Sequence, residues 1–199
     1  MGDKQCDTFI DYIEQVIAET PHRQVDDPAL TPAGVMLLVF RKDSEHCILL
    51  QKRSSRVDSH KGEISFPGGK RDPEDVSMLA TAIRETHEEM GIDPQDIRVF
   101  GALDQTATTT GYLTYPFAGT IPYPYDFDPS EQEVAEVLEV PVSSLMDSEN
   151  RRGETRVVNG DLLCAPVFAY DGHIIFGATA RIIDRFIEML QSSTWEAMP

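Results

Sequence analysis

At 199 residues, 41% of them hydrophobic, the chain is long enough to bury one sizeable core. A formal charge of −17 argues against nucleic acid as a bulk partner, since duplex binding draws on a basic surface. No apolar run approaches the ~20 residues that span a bilayer, so no membrane is expected. Three scattered cysteines, Cys6, Cys47 and Cys164, fit no CxxC metal pattern and read as small apolar fillers. The start Met1-Gly2-Asp3-Lys4-Gln5 lacks the basic and apolar character of a secretory signal, and the expected location is a reducing cytoplasm.

In chain order, Phe9, Ile10, Ile13, Val16 and Ile17 recur at helical spacing and predict a helix over 9–17. A loop follows to Pro32. Residues 33–40 and 47–52 read as two strands joined around Asp43-Ser44. A helix is expected over 77–90, with Asp75 as the carboxylate at its positive end and Gly91 as a left-handed C-cap. Strands are expected over 97–103 and 113–121, the second broken by Pro122-Tyr123-Pro124. A short strand over 136–140 leads to a turn or short helix over 142–146, then late strands over 156–158, 162–168 and 173–176. An amphipathic helix over 179–190 closes the chain, with Ile182, Ile183, Phe186 and Leu190 inward. There are no repeats and no linker. Strands flanked by helices predict an α/β/α sandwich with an additional helix at each end.

The central helix carries the strongest chemical signal. Glu85, Glu88 and Glu89 lie at i, i+3 and i+4, and at about 100° per residue they fall within roughly a quarter-turn of one another. Val76, Leu79, Ala80, Ile83, His87 and Met90 gather on the other side, which is expected to face the core, with His87 packed there rather than acting as a ligand. Three like charges that close repel. A hard divalent cation, Mg²⁺ or Mn²⁺, reverses that cost, because it prefers oxygen ligands and keeps waters for substrate phosphates. Just upstream, Phe66-Pro67-Gly68-Gly69-Lys70 has the permissive glycines of an irregular loop that offers carbonyls to a metal and amides to a phosphate. Arg84 is expected to orient a glutamate through a bidentate pair. Eight of the seventeen Lys and Arg residues (Arg41, Lys42, Lys52, Arg53, Arg56, Lys61, Lys70 and Arg71) fall in about thirty residues around this proposed cleft.

Gly69 through Ile92 resembles the Nudix box, whose pattern is glycine, five residues, glutamate, seven residues, then Arg-Glu-aliphatic-x-Glu-Glu-x-Gly-aliphatic. Here Asp75 stands at the first glutamate, the spacer to Arg84 is one residue longer, and Thr86 replaces an aliphatic residue. The first two departures are those of the coenzyme A pyrophosphatase branch. Leu49 to Gly69 is similar to that branch's upstream signature, including Arg53, Ser54, Gly62 and the Phe66-Pro67-Gly68-Gly69 close. Gln51 stands in place of its threonine and Asp58 in place of its second arginine. The segments Thr109-Gly111-Tyr112-Leu113-Thr114-Tyr115-Pro116-Phe117 and Phe176-Gly177-Ala178-Thr179-Ala180-Arg181 also resemble it. The resemblance implies residues 33–190 as the Nudix domain, 1–32 as an N-terminal extension, 191–199 as a tail, and a mixed central sheet.

It further implies a Mg²⁺- or Mn²⁺-dependent pyrophosphohydrolase of a small nucleotide substrate, coenzyme A or an acyl-coenzyme A first. Another dinucleotide, ADP-ribose or nucleotide sugar, and a non-catalytic nucleotide-sensing module, stand as alternatives. Glu85 and Glu89 are the expected metal ligands, Glu88 completes the shell, and Gly69 offers a carbonyl. Glu133 and Glu136 are candidates for the general base. Arg53 and Arg56 are the expected phosphate grips, followed by His60 and Lys61, with Gly68, Gly69 and Lys70 on the substrate side. The oligomeric state is open, a homodimer included.

Overall fold

The computed structural model describes residues 7–56, 60–158 and 161–192. Helix α1 (Thr8–Glu19) starts where the Asp7 carboxylate accepts hydrogen bonds from the Phe9 and Ile10 amides, 3.2 Å each. It buries Ile10, Tyr12, Ile13, Val16 and Ile17, and the Tyr12 hydroxyl donates to the Leu190 carbonyl at the far end of the chain, 2.7 Å. Strands β1 (Thr31–Lys42) and β2 (Glu45–Arg53) form an antiparallel hairpin whose turn, Asp43-Ser44, puts Asp43 at φ 53°. Next come β3 (Ile64–Ser65), β4 (Gly68–Lys70), α2 (Met78–Met90), β5 (Arg98–Ala102), β6 (Thr106–Ala107), β7 (Tyr112–Thr120), β8 (Val134–Pro141) and α3 (Val142–Met146). The last elements are β9 (Arg151–Val158), β10 (Asp161–Tyr170), β11 (His173–Ile175) and α4 (Gly177–Ser192).

The main sheet runs β3-β2-β1-β7-β5, with β4 on β1, β6 on β7 and β8 on β2. It is mixed: β1 and β7 are parallel, and the other pairs are antiparallel. The middles of β1 (33–40) and β2 (47–50) are unbroken apolar runs because helices cover both faces. Leu37, Val39, Ile48 and Leu50 point to one core with α1 and α4, while Met36, Leu38, Phe40, Cys47 and Leu49 point to another with α2. The result is the expected α/β/α sandwich. Among the described residues, no helix is long and apolar enough to cross a membrane.

Several expectations need correction. The late strands, which the sequence assigned to no sheet, form a separate three-stranded antiparallel one of β9, β10 and β11. The diglycine segment is a short strand, paired to β1 through Ala33–Lys70, Gly34–Gly69 and Val35–Gly68. Helix α2 is capped by Ser77, whose hydroxyl accepts from the Ala80 amide (3.1 Å), so Asp75 lies outside the helix. Its buried face also differs: Thr81, Ala82, Thr86, Glu89 and Met90 turn inward, Leu79 and Ile83 are partly buried, Val76 is 89% exposed, and His87 is exposed with Nδ1 2.9 Å from the Ile92 carbonyl oxygen. Close packing dictates this orientation. A Cβ on Gly34 of β1 would stand 2.6 Å from the Met78 carbonyl oxygen and 2.8 Å from the Ala82 nitrogen, so helix and strand meet backbone to backbone. Only small side chains fit that seam: Thr81, whose Cβ lies 3.1 Å from the same point, sits there with its hydroxyl donated to Asp75 Oδ2, 2.9 Å. Gly91 closes the helix at φ 70°, as expected.

Candidate active site

The inward turn of α2 carries Glu89 under the sheet edge, where its side chain is 3% exposed. Its Oε2 accepts from the Gly68 amide at 2.8 Å and the Gln51 side-chain amide at 2.7 Å, while Arg53 Nη1 lies 3.5 Å from Oε1. Burial pushes its pKa up to about 7, against the opposing pull of those donors and with a further push from the Glu85 charge. Glu85 sits one turn earlier, directly over Gly69. A Cβ on Gly69 would fall 2.4 Å from the Glu85 carboxyl carbon, so only glycine leaves room for this carboxylate. Burial raises the Glu85 pKa too, Arg84 opposes the rise, and the Glu88 and Glu133 charges add to it.

Arg84 orients this group, though its two-pronged bond goes elsewhere than expected. Its Nε and Nη2 grip the two Asp75 oxygens at 3.0 Å each, and Nη1 reaches Glu85 Oε1 and Glu88 Oε2 at 2.9 Å each. The guanidinium beside it holds the Asp75 carboxyl well below the usual carboxylate range, and Arg84 is raised in turn. Asp75 thus acts as the anchor of the arginine, which suits a shorter side chain bonded also by Thr81 Oγ1 (2.9 Å) and the Asp72 amide (2.9 Å).

Glu85 and Glu89 open into a cavity of about 710 Å³ between β4, the β6–β7 turn, β10 and the start of α4. Arg53, His60, Gly68, Gly69, Lys70 and Glu133 also line it. Glu133 arrives because its carbonyl accepts from the Ser54 amide (2.8 Å), continuing the β2–β8 pairing past Arg53. The remaining candidates are not brought there. Glu88 is 53% exposed and stays with Arg84 at the surface. Glu136 faces Lys52 (3.9 Å) and His173 (3.4 Å), Arg56 donates to the Glu131 carbonyl (3.3 Å), and Lys61 is exposed. Asp58 lies outside the described residues. Among the described residues, no three His, Cys, Asp or Glu side chains gather closely enough to hold a metal ion between them.

Sequence reading missed three contributors. Gln51 is fully buried and fixes Glu89; its signal was a polar residue ending the apolar run Ile48-Leu49-Leu50. Ser65 lines the cavity with its buried hydroxyl unpartnered, and so does Arg53 with its Nε. Arg181 enters from α4, and nothing in linear spacing places it beside β6.

An α/β/α sandwich with a buried acid pair on one helix, packed against a diglycine strand, is an enzyme-like arrangement for phosphate chemistry. Residues 30–157 match the family model described as the NUDIX domain. The chain is 32% identical over 190 residues to a Photorhabdus laumondii protein named Uncharacterized Nudix hydrolase NudL, covering 92% of this chain and 96% of that one. It is 34% identical over 169 residues to the Citrobacter koseri protein of the same name, covering 85% and 84%. Among solved structures, a MutT/nudix family protein from Enterococcus faecalis superposes with a TM-score of 0.56 at 15% identity, over 92% of this chain and 69% of that one. The M. smegmatis Nudix hydrolase RenU gives 0.53 at 20%, over 82% and 87%. These two structures show the fold. The chain belongs to the Nudix family: it is a Nudix hydrolase acting on a small nucleoside diphosphate-linked substrate, in a family whose enzymes generally use divalent metal ions.

Proposed function

We propose that this hydrolase uses Mg²⁺ or Mn²⁺ to cut the diphosphate of coenzyme A or an acyl-coenzyme A, giving 3′,5′-ADP and (acyl-)4′-phosphopantetheine. The observation that carries the metal-dependent chemistry is the placement of two carboxylates, Glu85 and Glu89, in one cavity where burial opposes the charge of each. Both are pushed toward the neutral acid, and the nearest cation to Glu89, Arg53, stands at 3.5 Å. That donor set fits a hard divalent cation, with the remaining positions left to water and substrate oxygens. Glu85 and Glu89 would hold it, beside Gly69. When bound, the ion neutralises the diphosphate and lowers the pKa of an attacking water.

The other residues have separable tasks. Gln51 and the Gly68 amide hold Glu89 by one oxygen, leaving Oε1 toward the cavity side with Arg53. Arg84 fixes Glu85 from behind. Arg53 Nε, buried and unpartnered, and Ser65 Oγ are donors for phosphate oxygens, an arrangement in which a planar guanidinium can bridge two of them. Glu133 on the cavity wall takes the proton of the water as its oxygen bonds to phosphorus and the bond to the bridging oxygen breaks.

Turnover by purified protein with Mg²⁺ or Mn²⁺ tests the reading, on coenzyme A, NADH, ADP-ribose and nucleoside triphosphates, with products identified by mass. Preferred cleavage of coenzyme A to 3′,5′-ADP is expected. Preference for a substrate without the pantetheine arm removes the coenzyme A assignment. Binding without hydrolysis across the panel makes the chain a nucleotide sensor.

A further inference from the structure

The cavity contains a cation that the diphosphate chemistry above does not use. Arg181 lies in the second turn of α4, and its Nη2 donates to the Ala107 carbonyl on β6, 2.5 Å. It is half-buried, burial alone pulls its pKa below the ordinary guanidinium value, and among the described residues no carboxylate stands in ion-pair range of it. Arg53 and His60, by contrast, face Glu89 and Glu63. A partly desolvated guanidinium bound to one carbonyl keeps most of its five N–H donors for a ligand, and an anion is the partner that suits its charge.

The surroundings say what kind of anion fits. The Ala107 bond sets Arg181 beside the β6–β7 turn, where the Thr108 and Thr110 hydroxyls are 3.0 Å apart and Thr110 Oγ1 is 3.2 Å from His60 Nε2. Hydroxyls, an imidazole and a guanidinium make a wall suited to several phosphoryl oxygens at once. Of this wall the guanidinium comes from α4, which packs on the opposite face of the sheet from α2 and its acids, and the hydroxyls come from the β6–β7 turn. Arg181 pairs with neither Glu85 nor Glu89, and its one hydrogen-bond partner among the described residues is the Ala107 carbonyl. A cavity of about 710 Å³ has room for one ligand reaching both. Glu63 and Glu154 also line it, and Glu63 is engaged by His60 at 2.8 Å.

We infer that Arg181, supported by Thr108 and Thr110, binds a phosphomonoester of the substrate separate from the diphosphate being cut, and so selects nucleotides that carry a third phosphoryl group. The inference rests on the pyrophosphohydrolase reading for its consequence in turnover, but its binding test does not.

Calorimetric titration of metal-free protein with adenosine 3′,5′-bisphosphate and with AMP reads the site directly. Wild type is expected to bind the bisphosphate at least about tenfold more tightly than AMP. Arg181→Met should erase that preference while leaving AMP affinity within about twofold, and Arg181→Lys should restore part of it. In turnover, Arg181→Met should raise KM for coenzyme A about tenfold with kcat nearly unchanged, and leave dephospho-coenzyme A unaffected. No preference for the bisphosphate in wild type overturns the inference without any variant having to fold. Equal losses on both ligands also overturn it, assigning Arg181 a structural role. If neither coenzyme A compound is cleaved, the proposed activity fails while the titration still decides the phosphate site.

Discussion

The substitution Glu89→Gln separates the ionisation of this side chain from its packing. The variant would keep the shape of the glutamate and an oxygen to accept from Gly68 and Gln51, and would lose the charge. The folded-state pKa of Glu89, about 7, is raised above its ordinary 4.5, so the sign is that of a buried acid preferring its proton. Wild type therefore has this contribution in full below pH 4.5 and loses it as pH rises through about 7. At about 1.36 kcal/mol per pH unit, the ionisation cost approaches roughly 3 kcal/mol at high pH, most of it falling between roughly pH 5 and pH 8. For a chain of this size that corresponds to roughly 5–10 °C in Tm. Thermal unfolding of metal-free wild type and Glu89→Gln at both pH values measures it. The variant's Tm relative to wild type should climb by that amount from the lower to the higher pH. Added Mg²⁺ or Mn²⁺ at the higher pH should then raise wild type and leave the variant where it was. A Tm difference that stays constant with pH would refute the claim that Glu89 is held against its own ionisation.

Three further outcomes follow from the same geometry. Gly69→Ala places a methyl group 2.4 Å from the Glu85 carboxyl carbon, and turnover should fall by about 100-fold with Tm changed by only a few degrees. Gly34→Ala meets backbone atoms of α2 at 2.6 and 2.8 Å that cannot rotate away, so urea unfolding should show a loss of about 1–3 kcal/mol. Glu133→Gln should lower kcat by about 100-fold with KM nearly unchanged; an unaltered kcat would remove it as the proton acceptor.

The elements that run longest were the most legible. Helices α1 and α4 and strands β1 and β2 declare themselves through periodicity or unbroken apolar runs, and each was found within a few residues of its expected limits. The short strands β3, β4 and β6, two or three residues each, have no period to read; they exist because a neighbouring strand offers backbone partners. The same limit applies at the site. Spacing on one helix put Glu85, Glu88 and Glu89 on a common side, with Glu85 and Glu89 expected as the ligands and Glu88 as completing the shell, but it carries no reason for Glu88 to stay outside the cavity. Arg84 Nη1 pairs with both Glu85 and Glu88, and what separates the two lies outside the helix: Glu85 packs against Gly69 of β4, while Glu88 meets no such neighbour among the described residues and stays at the surface. The buried face of α2 was misread for a related reason. Hydropathy ranked Val76 above Thr81, whereas the seam at Gly34 selects by size.

The charge pattern shows how far a linear cluster can mislead. Eight basic residues crowd one stretch of the sequence, yet of these only Arg53 and Lys70 line the cavity. Lys42 and Lys52 instead pair with Glu139 and Glu136 of β8, and Arg56 and Arg71 spend donors on carbonyls of Glu131 and Asp75. Strand alternation is the cause, since consecutive residues of β2 face opposite sides of the sheet and only one side opens to the cavity. Two β8 carboxylates thereby neutralise basic side chains that do not reach the site. The cavity then draws a further cation from α4, more than a hundred residues downstream. A substrate with several phosphates meets a few placed donors in a strongly negative protein, which admits the ligand by position where a broad basic surface would admit any polyanion.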